Sequence, residues 1–352
     1  MTPHVPPDLR IALVLAGGNA LGAYQAGVYE ALHEAGISPD WVVGTSAGAM
    51  NGAIIAGNAP ADILSRLSDL WRPDRTGAIG AFAWDGMIDS WRRSGEVIAT
   101  LFGGRRGLFA PLGTALAERD TPALYDTTPL AHTLARLVDF ERLNDGRVRY
   151  MVQAVALDTG AEVVFDNGRD RITPDHVRAS CAMPPAFPPV AIGGELYVDG
   201  GLAANLPLDP MLAQPGDRPL LCIAVDLLPL AGPRAPTIGG MISRTQDLVF
   251  AAQSRRTLTR WQDHYATAPE MAQASVTLVQ LRYAEQQDEV AGKALDFSPR
   301  SVRGRWDAGL RDARALVAAL AEGAIPLGGR GLTSTTIAAR QEPLAAHSGD
   351  TP

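Results

Sequence analysis

Residues Leu9–Ala16 read LRIALVLA; they are followed by Gly17-Gly18-Asn19-Ala20-Leu21-Gly22 and then by Ala23–Ala35, AYQAGVYEALHEA. The first run is short and almost wholly apolar, the pattern of a strand buried on both faces. The third places Tyr24, Val28, Ala31 and Leu32 at helical spacing, with Gly36 standing where a C-terminal cap is expected. The same order then repeats. Pro39 leads into a short strand at Trp41–Val43, Gly44-Thr45-Ser46-Ala47-Gly48 turns the chain, and a helical apolar run continues through Ala56. Strand, turn and helix twice over predict an α/β fold of three layers, α/β/α, around a mainly parallel sheet.

Outward from this start the pattern changes character. Ala61–Trp71 reads as an amphipathic helix, after which residues from about Arg72 to Asp126 mix Trp84, Trp91, Phe102 and Phe109 with Gly, Pro and Arg. A loop-rich insertion of this length is a cap candidate, with Trp84 and Trp91 as candidate anchors. Helix resumes at Thr128–Val138, and strands are expected at Arg147–Leu157, Ala161–Phe165 and Pro219–Asp226. The main domain is thus residues 9–230, after a tail of residues 1–8. A C-terminal extension, 231–330, is expected to be α-rich, with helices near Met241–Tyr265 and Arg300–Glu322 and a strand near Ser275–Arg282. The Ser/Thr/Ala-rich residues 331–352 read as a disordered tail.

The chain of 352 residues is 46% hydrophobic and 20% charged, the composition of a folded globular protein. A net charge of −7 leaves no basic footprint for phosphate neutralisation, so nucleic acid is excluded as a partner. Two cysteines, Cys181 and Cys222, cannot build a disulfide framework or a four-cysteine zinc site, which points to a reducing compartment. Lys293 is the only lysine among 31 basic residues, a bias of GC-rich bacterial genomes. Ile11–Tyr29 and Trp41–Ala61 carry no charged residue and so imitate a signal peptide and a spanning helix. The glycines of the first and the Gly, Ser, Thr and Asn content of the second make both buried α/β elements instead. The expected location is cytoplasmic, with peripheral contact at the inner membrane surface.

Three pieces carry chemistry. Gly44-x-Ser46-x-Gly48 between a strand and a helix fits a nucleophile elbow, in which small neighbours let a strained turn close while the serine hydroxyl points outward. Gly17–Gly22 does not satisfy G-x-G-x-x-G, and no acidic residue ends the second strand, so a dinucleotide site is not indicated. Such a loop is either a plain strand-to-helix turn or a set of backbone N–H groups aimed at one spot, as an oxyanion needs. Tyr197-Val198-Asp199-Gly200-Gly201 puts a carboxylate at a strand end before two glycines. Alone it is a simple turn. None of the six histidines, including His176 and His264, has metal-ligand spacing, so neither metal nor cofactor is expected.

Together these pieces resemble the patatin-like phospholipase family. The likeness rests on Gly17–Gly22, Gly44–Gly48, Ala179-Ser180-Cys181-Ala182-Met183-Pro184-Pro185-Ala186-Phe187-Pro188-Pro189 and Asp199–Gly201, all in the family's order. It covers about residues 9–226, and the C-terminal block is similar to a bacterial branch with its own extension. The resemblance implies a serine acyl-ester hydrolase with a Ser–Asp dyad: Ser46 as nucleophile, Asp199 as base, and Gly17, Gly18 and Asn19 as oxyanion donors, supported by Gly44, Gly48, Gly200 and Gly201. Asn19 stands where a third glycine is usual, and Leu21 replaces the usual loop cation. A lipid or other acyl ester is the implied substrate, whether phospholipid, lysophospholipid, neutral lipid or polyester. Two alternatives remain open at this point: a triad using His264, and a non-catalytic lipid-binding protein on the same fold.

Overall fold

In a computed structural model, the residues described are 6, 8–72, 86–112, 123–232, 234–284, 286 and 289–337, with the backbone alone described for 86–92. The chain opens as anticipated: β1 Arg10–Leu15, a short 3₁₀ turn over Asn19–Gly22, α1 Ala23–Glu34, β2 Trp41–Gly44 and α2 Ala47–Ala56. It continues through α3 Pro60–Trp71, α4 Gly86–Gly103, β3 Ala110–Pro111, β4 Tyr125–Asp126, α5 Thr128–Leu137 and α6 Phe140–Asn144. The next elements are β5 Arg149–Ala156, β6 Glu162–Asp166, α7 Pro174–Ser180, β7 Val190–Ile192, β8 Glu195–Asp199 and α8 Asp209–Leu212. The last are β9 Leu220–Asp226, α9 Ile238–Thr267, β10 Ser275–Arg282, α10 Pro299–Ala321 and β11 Gly331–Ile337.

Nine strands form one mixed sheet in the order β11-β10-β9-β1-β2-β5-β8-β7, with β6 paired to β5. From β11 to β5 every neighbour is parallel. β6 and β8 are antiparallel to β5, and β7 to β8. The apolar runs explain the order. β2 and β9 are buried at every position, and β1 at all but Arg10, which suits strands covered by helices on both faces. Parallel pairing brings the chain back to the same edge after every crossover, so the turns after β1 and β2 lie side by side.

The structure corrects two expectations. The insertion is not loop-rich throughout, since 18 of its residues form α4. Gly86, Gly95 and Gly103 weaken that helical signal, yet Arg93, Val97 and Thr100 recur at helical spacing and face inward, each buried. Trp84 lies outside the described residues, as does the side chain of Trp91. The expected tail begins with a strand: β11 pairs in parallel with β10 from Gly331 to Ile337. Its Thr/Ser composition suggests disorder, but Thr is β-branched and suits a half-exposed edge strand. Residues 338–352 lie outside the described residues.

The C-terminal extension is α-rich, as expected, and it is built into the main domain. β10 extends the main sheet beside β9. α10 packs on α1 so closely that a Cβ on Gly27 would overlap the Trp306 carbonyl, and one on Gly309 the Tyr24 carbonyl. No helix among the described residues is long and apolar enough to cross a membrane.

Candidate active site

Ser46 stands between the end of β2 and the start of α2 with φ 53° and ψ −120°. A non-glycine residue in that region is strained, and it persists only where the surroundings fix it. The flanking glycines let it form: a Cβ on Gly44 would overlap the Gly48 carbonyl, and one on Gly48 the Leu15 carbonyl. The end of α7 clamps the same residue from outside. The Ser46 N–H donates to Ser180 Oγ at 3.0 Å, and Cys181 Sγ donates to the Ser46 carbonyl at 3.3 Å. Thr45 Oγ1 donates to the Ala204 carbonyl at 3.1 Å, tying the elbow to the segment after β8.

Asp199 ends β8, which is placed by its antiparallel pairing with β5, Ala154 opposite Asp199. That pairing brings a carboxylate distant in sequence to the elbow, where the Ser46 hydroxyl favours its charged form. The Asp199 side chain is 2% exposed and its Oδ1 accepts from the Gly201 N–H at 2.7 Å. Burial pushes its carboxyl up to about 7, against the pull of the Gly201 amide and the Ser46 hydroxyl toward the charged form. Gly200 is needed for approach, since a Cβ there would overlap the Gln153 carbonyl. A Cβ on Gly201 would lie 3.0 Å from Asp199 Oδ1 and 3.1 Å from Asn205 Oδ1.

The glycine loop meets the same spot. A Cβ on Gly17 would be 3.1 Å from the Ser46 Cβ. The Gly17 amide, however, is not aimed at a substrate: it donates to the Asn205 carbonyl at 3.0 Å, and Asn205 Nδ2 returns a bond to the Gly17 carbonyl at 3.1 Å. The expectation that Gly17 is an oxyanion donor is corrected accordingly, because its hydrogen is already engaged. Among the described residues the amides of Gly18 and Asn19 have no backbone acceptor. Asn19 takes φ 50°, a left-handed conformation that asparagine tolerates. Ala47, at the first position of α2, presents a further N–H without an intrahelical partner.

The two histidines weighed in the sequence lie elsewhere. His176 is buried in the first turn of α7, where its Nδ1 accepts from the Thr173 N–H at 3.1 Å and its ring meets Phe165 edge-on. His264 is exposed on α9 beside Trp261. Gln253 is the α9 residue that reaches the site, accepting from the Asn205 N–H at 3.1 Å. His264 is eleven residues further along, about 16 Å by helical rise. Among the described residues no group of three or more His, Cys, Asp or Glu could hold a metal ion.

Asn205 and Gln253 carry no motif that would single them out. The available signal for Asn205 is a lone amide in the largely apolar run Leu202–Leu208, six residues after Asp199. Arg305 is a further surprise: 1% exposed, it donates to the Ala20 carbonyl of the glycine loop at 3.2 Å. Two parallel bonds to Glu289, both 2.8 Å, neutralise its charge.

A three-layer α/β protein that presents a strained serine at a strand–helix junction, against a buried aspartate and a glycine turn, is the class defined by this geometry. The chain belongs to the patatin-like phospholipase family: that family's model matches residues 13–212, and a second model described as patatin phospholipase matches residues 244–322. An uncharacterized NTE family protein of Mycobacterium tuberculosis (strain CDC 1551 / Oshkosh) is 28% identical over 214 residues, covering 60% of this chain and 30% of that protein. Lysophospholipase NTE1 of Candida glabrata is 26% identical over 212 residues, covering 58% of this chain and 10% of that protein. The chain therefore spans less than a third of the length of these curated relatives. Among solved structures, VipD from Legionella pneumophila aligns with 89% of this chain and 67% of that chain at 15% identity and a TM-score of 0.45.

Proposed function

We propose that the protein is a serine-dependent lipid acyl-ester hydrolase working through Ser46 and Asp199. The observation that carries this reading is a strained elbow serine set beside a buried carboxylate whose charged form its hydroxyl favours. The Ser46 oxygen attacks the ester carbonyl carbon while Asp199 takes its proton. The C–O bond to the alcohol then breaks, and Asp199 returns the proton to the departing oxygen. Water, deprotonated by the same carboxylate, releases the acid and restores Ser46.

A carboxylate in water is too weak a base for this task, since it ordinarily titrates at about pH 4. Burial raises Asp199 to about 7, where its basicity suits neutral pH. The tetrahedral oxyanion is assigned to the amides of Gly18, Asn19 and Ala47, with the positive end of the α2 dipole behind the last. Gly17 serves instead to hold the loop against Asn205. Family membership and the lysophospholipase relatives favour a phospholipid or lysophospholipid as the acyl donor.

A fluorophosphonate probe tests the nucleophile directly. Labelling of the wild type that disappears in Ser46→Ala is expected. A folded wild type that takes no label would point to a lipid-binding protein without turnover.

A further inference from the structure

α9 carries a face that nothing among the described residues covers. Ile238, Met241, Ile242, Leu248 and Val249 recur at helical spacing on its outer side and are 44–83% exposed. The opposite face, with Asp247, Ala251, Ser254 and Leu258, is buried against the domain. Large aliphatic side chains are normally scattered singly at a surface, whereas here they form a stripe about 16 Å long by helical rise.

The stripe lies at the site. α9 follows β9, so its first half stands at the carboxyl end of the parallel strands, the edge that carries Gly17 and Ser46. Gln253 joins it to the site rim by donating to the Leu202 carbonyl at 3.4 Å, and Leu202, three residues beyond Asp199, is itself 48% exposed. α4 carries a second exposed apolar face. α4 exposes Ile98 and Phe102, the latter at 81%. It touches Gly292 through Val97, and the Gly292 N–H donates to Ser243 Oγ of α9 at 3.0 Å.

Charge selects the occupant. The protein has a net charge of −7, yet the only carboxylate between Ile238 and Gln262 is Asp247, which is buried and paired with Lys293 Nζ at 2.8 Å. Further along the same helix Arg255 and Arg256 are exposed. Apolar side chains followed by arginines on one face, without acids, match the acyl and headgroup layers of an anionic bilayer. A second copy of this acidic chain would gain nothing from the arginines at a self-complementary interface.

We infer that the outer faces of α9 and α4 form a docking surface for anionic lipid bilayers, seating the Ser46 site against the membrane. The inference rests on the proposed lipid hydrolysis for its choice of occupant, but it is tested without catalysis. The full chain carrying Ser46→Ala is centrifuged with vesicles of phosphatidylcholine alone or with three parts in ten of phosphatidylglycerol, and its oligomeric state is measured without vesicles. Co-sedimentation with the anionic vesicles, weaker with neutral ones and weakened by salt, is expected. Ile242→Asp with Val249→Asp should lower the bound fraction about tenfold or more, since two aliphatic contacts are lost. Arg255→Gln with Arg256→Gln should abolish the preference for anionic vesicles, and unchanged melting curves show that both pairs fold.

A chain that stays in solution with every vesicle overturns the inference, and so do variants that bind as the wild type does. A dimer that the aspartate pair converts to monomer, without vesicle binding, would assign the face to a second copy. Turnover of a dissolved short-chain ester by the wild type is a separate readout: its loss would overturn the hydrolase reading and leave the docking result standing.

Discussion

Asn205 and Gly17 grip each other through two hydrogen bonds, the Gly17 amide to the Asn205 carbonyl at 3.0 Å and Asn205 Nδ2 to the Gly17 carbonyl at 3.1 Å. The pair fixes the glycine loop beside Ser46, leaving the next amides free to act. Asn205→Ala should leave the Gly17 carbonyl buried without its side-chain donor, at a cost of about 1–3 kcal/mol of stability. Misplaced oxyanion donors should lower kcat about 10–100-fold with little change in KM. Equal kcat in a folded variant would free the loop from this clamp.

The acid limb of the rate profile follows from Asp199. Its carboxyl must be ionised to take the Ser46 proton, and burial holds it near 7. Activity on a dissolved ester should therefore rise with pH, reach half its plateau at about pH 7 and stay level above it. The same limb should persist in His264→Ala. A midpoint near pH 4 would mean that burial does not raise the Asp199 carboxyl in the working enzyme.

Stability should run the opposite way. The folded-state pKa of Asp199, about 7, lies above its unfolded value, so the folded protein binds the proton more tightly. Its contribution is fully present below about pH 4 and is lost as pH rises through 7. Asp199→Asn removes the buried charge and should raise Tm by a few degrees at pH 8, with little effect at pH 4. Differential scanning calorimetry at the two pH values separates this from a general effect of the substitution.

The C-terminal block should be inseparable from the site. Arg305 binds Glu289 and the Ala20 carbonyl, and Glu289 also accepts from Arg93 of α4 at 2.7 Å. Breaking a buried pair on one side leaves an uncompensated charge and costs about 3–5 kcal/mol. Arg305→Met should show that loss in urea unfolding and a lower kcat from the loosened loop. Replacing Glu289 with Gln alongside it should recover part of the stability.

Much of the fold was legible because its signals are local. The run Leu9–Ala16 and the turn Gly44–Gly48 declare buried strands, tight turns and helices within a few residues, and Ser46 and Asp199 stand in short motifs. Their meeting was not legible from pattern alone, because it depends on β8 pairing antiparallel with β5. Asn205, Gln253 and Arg305 were hidden for the same reason, as their site contacts span 188, 48 and 285 residues. The Gly17 amide shows the limit of a motif: the glycine is where the loop requires it, while the direction of its N–H depends on a partner far along the chain. Glycines masked α4, and hydroxyl-rich composition masked β11.

The central claim is that Asp199, and no histidine, is the base for Ser46. Steady-state turnover of a dissolved short-chain ester by Asp199→Asn and His264→Ala, each shown to be folded, tests it most directly. Asparagine keeps the shape but cannot accept the proton, so kcat should fall by about 10³-fold or more, while His264→Ala keeps most of its activity. An active Asp199→Asn enzyme, or a His264→Ala enzyme as inert as Ser46→Ala, would contradict the account.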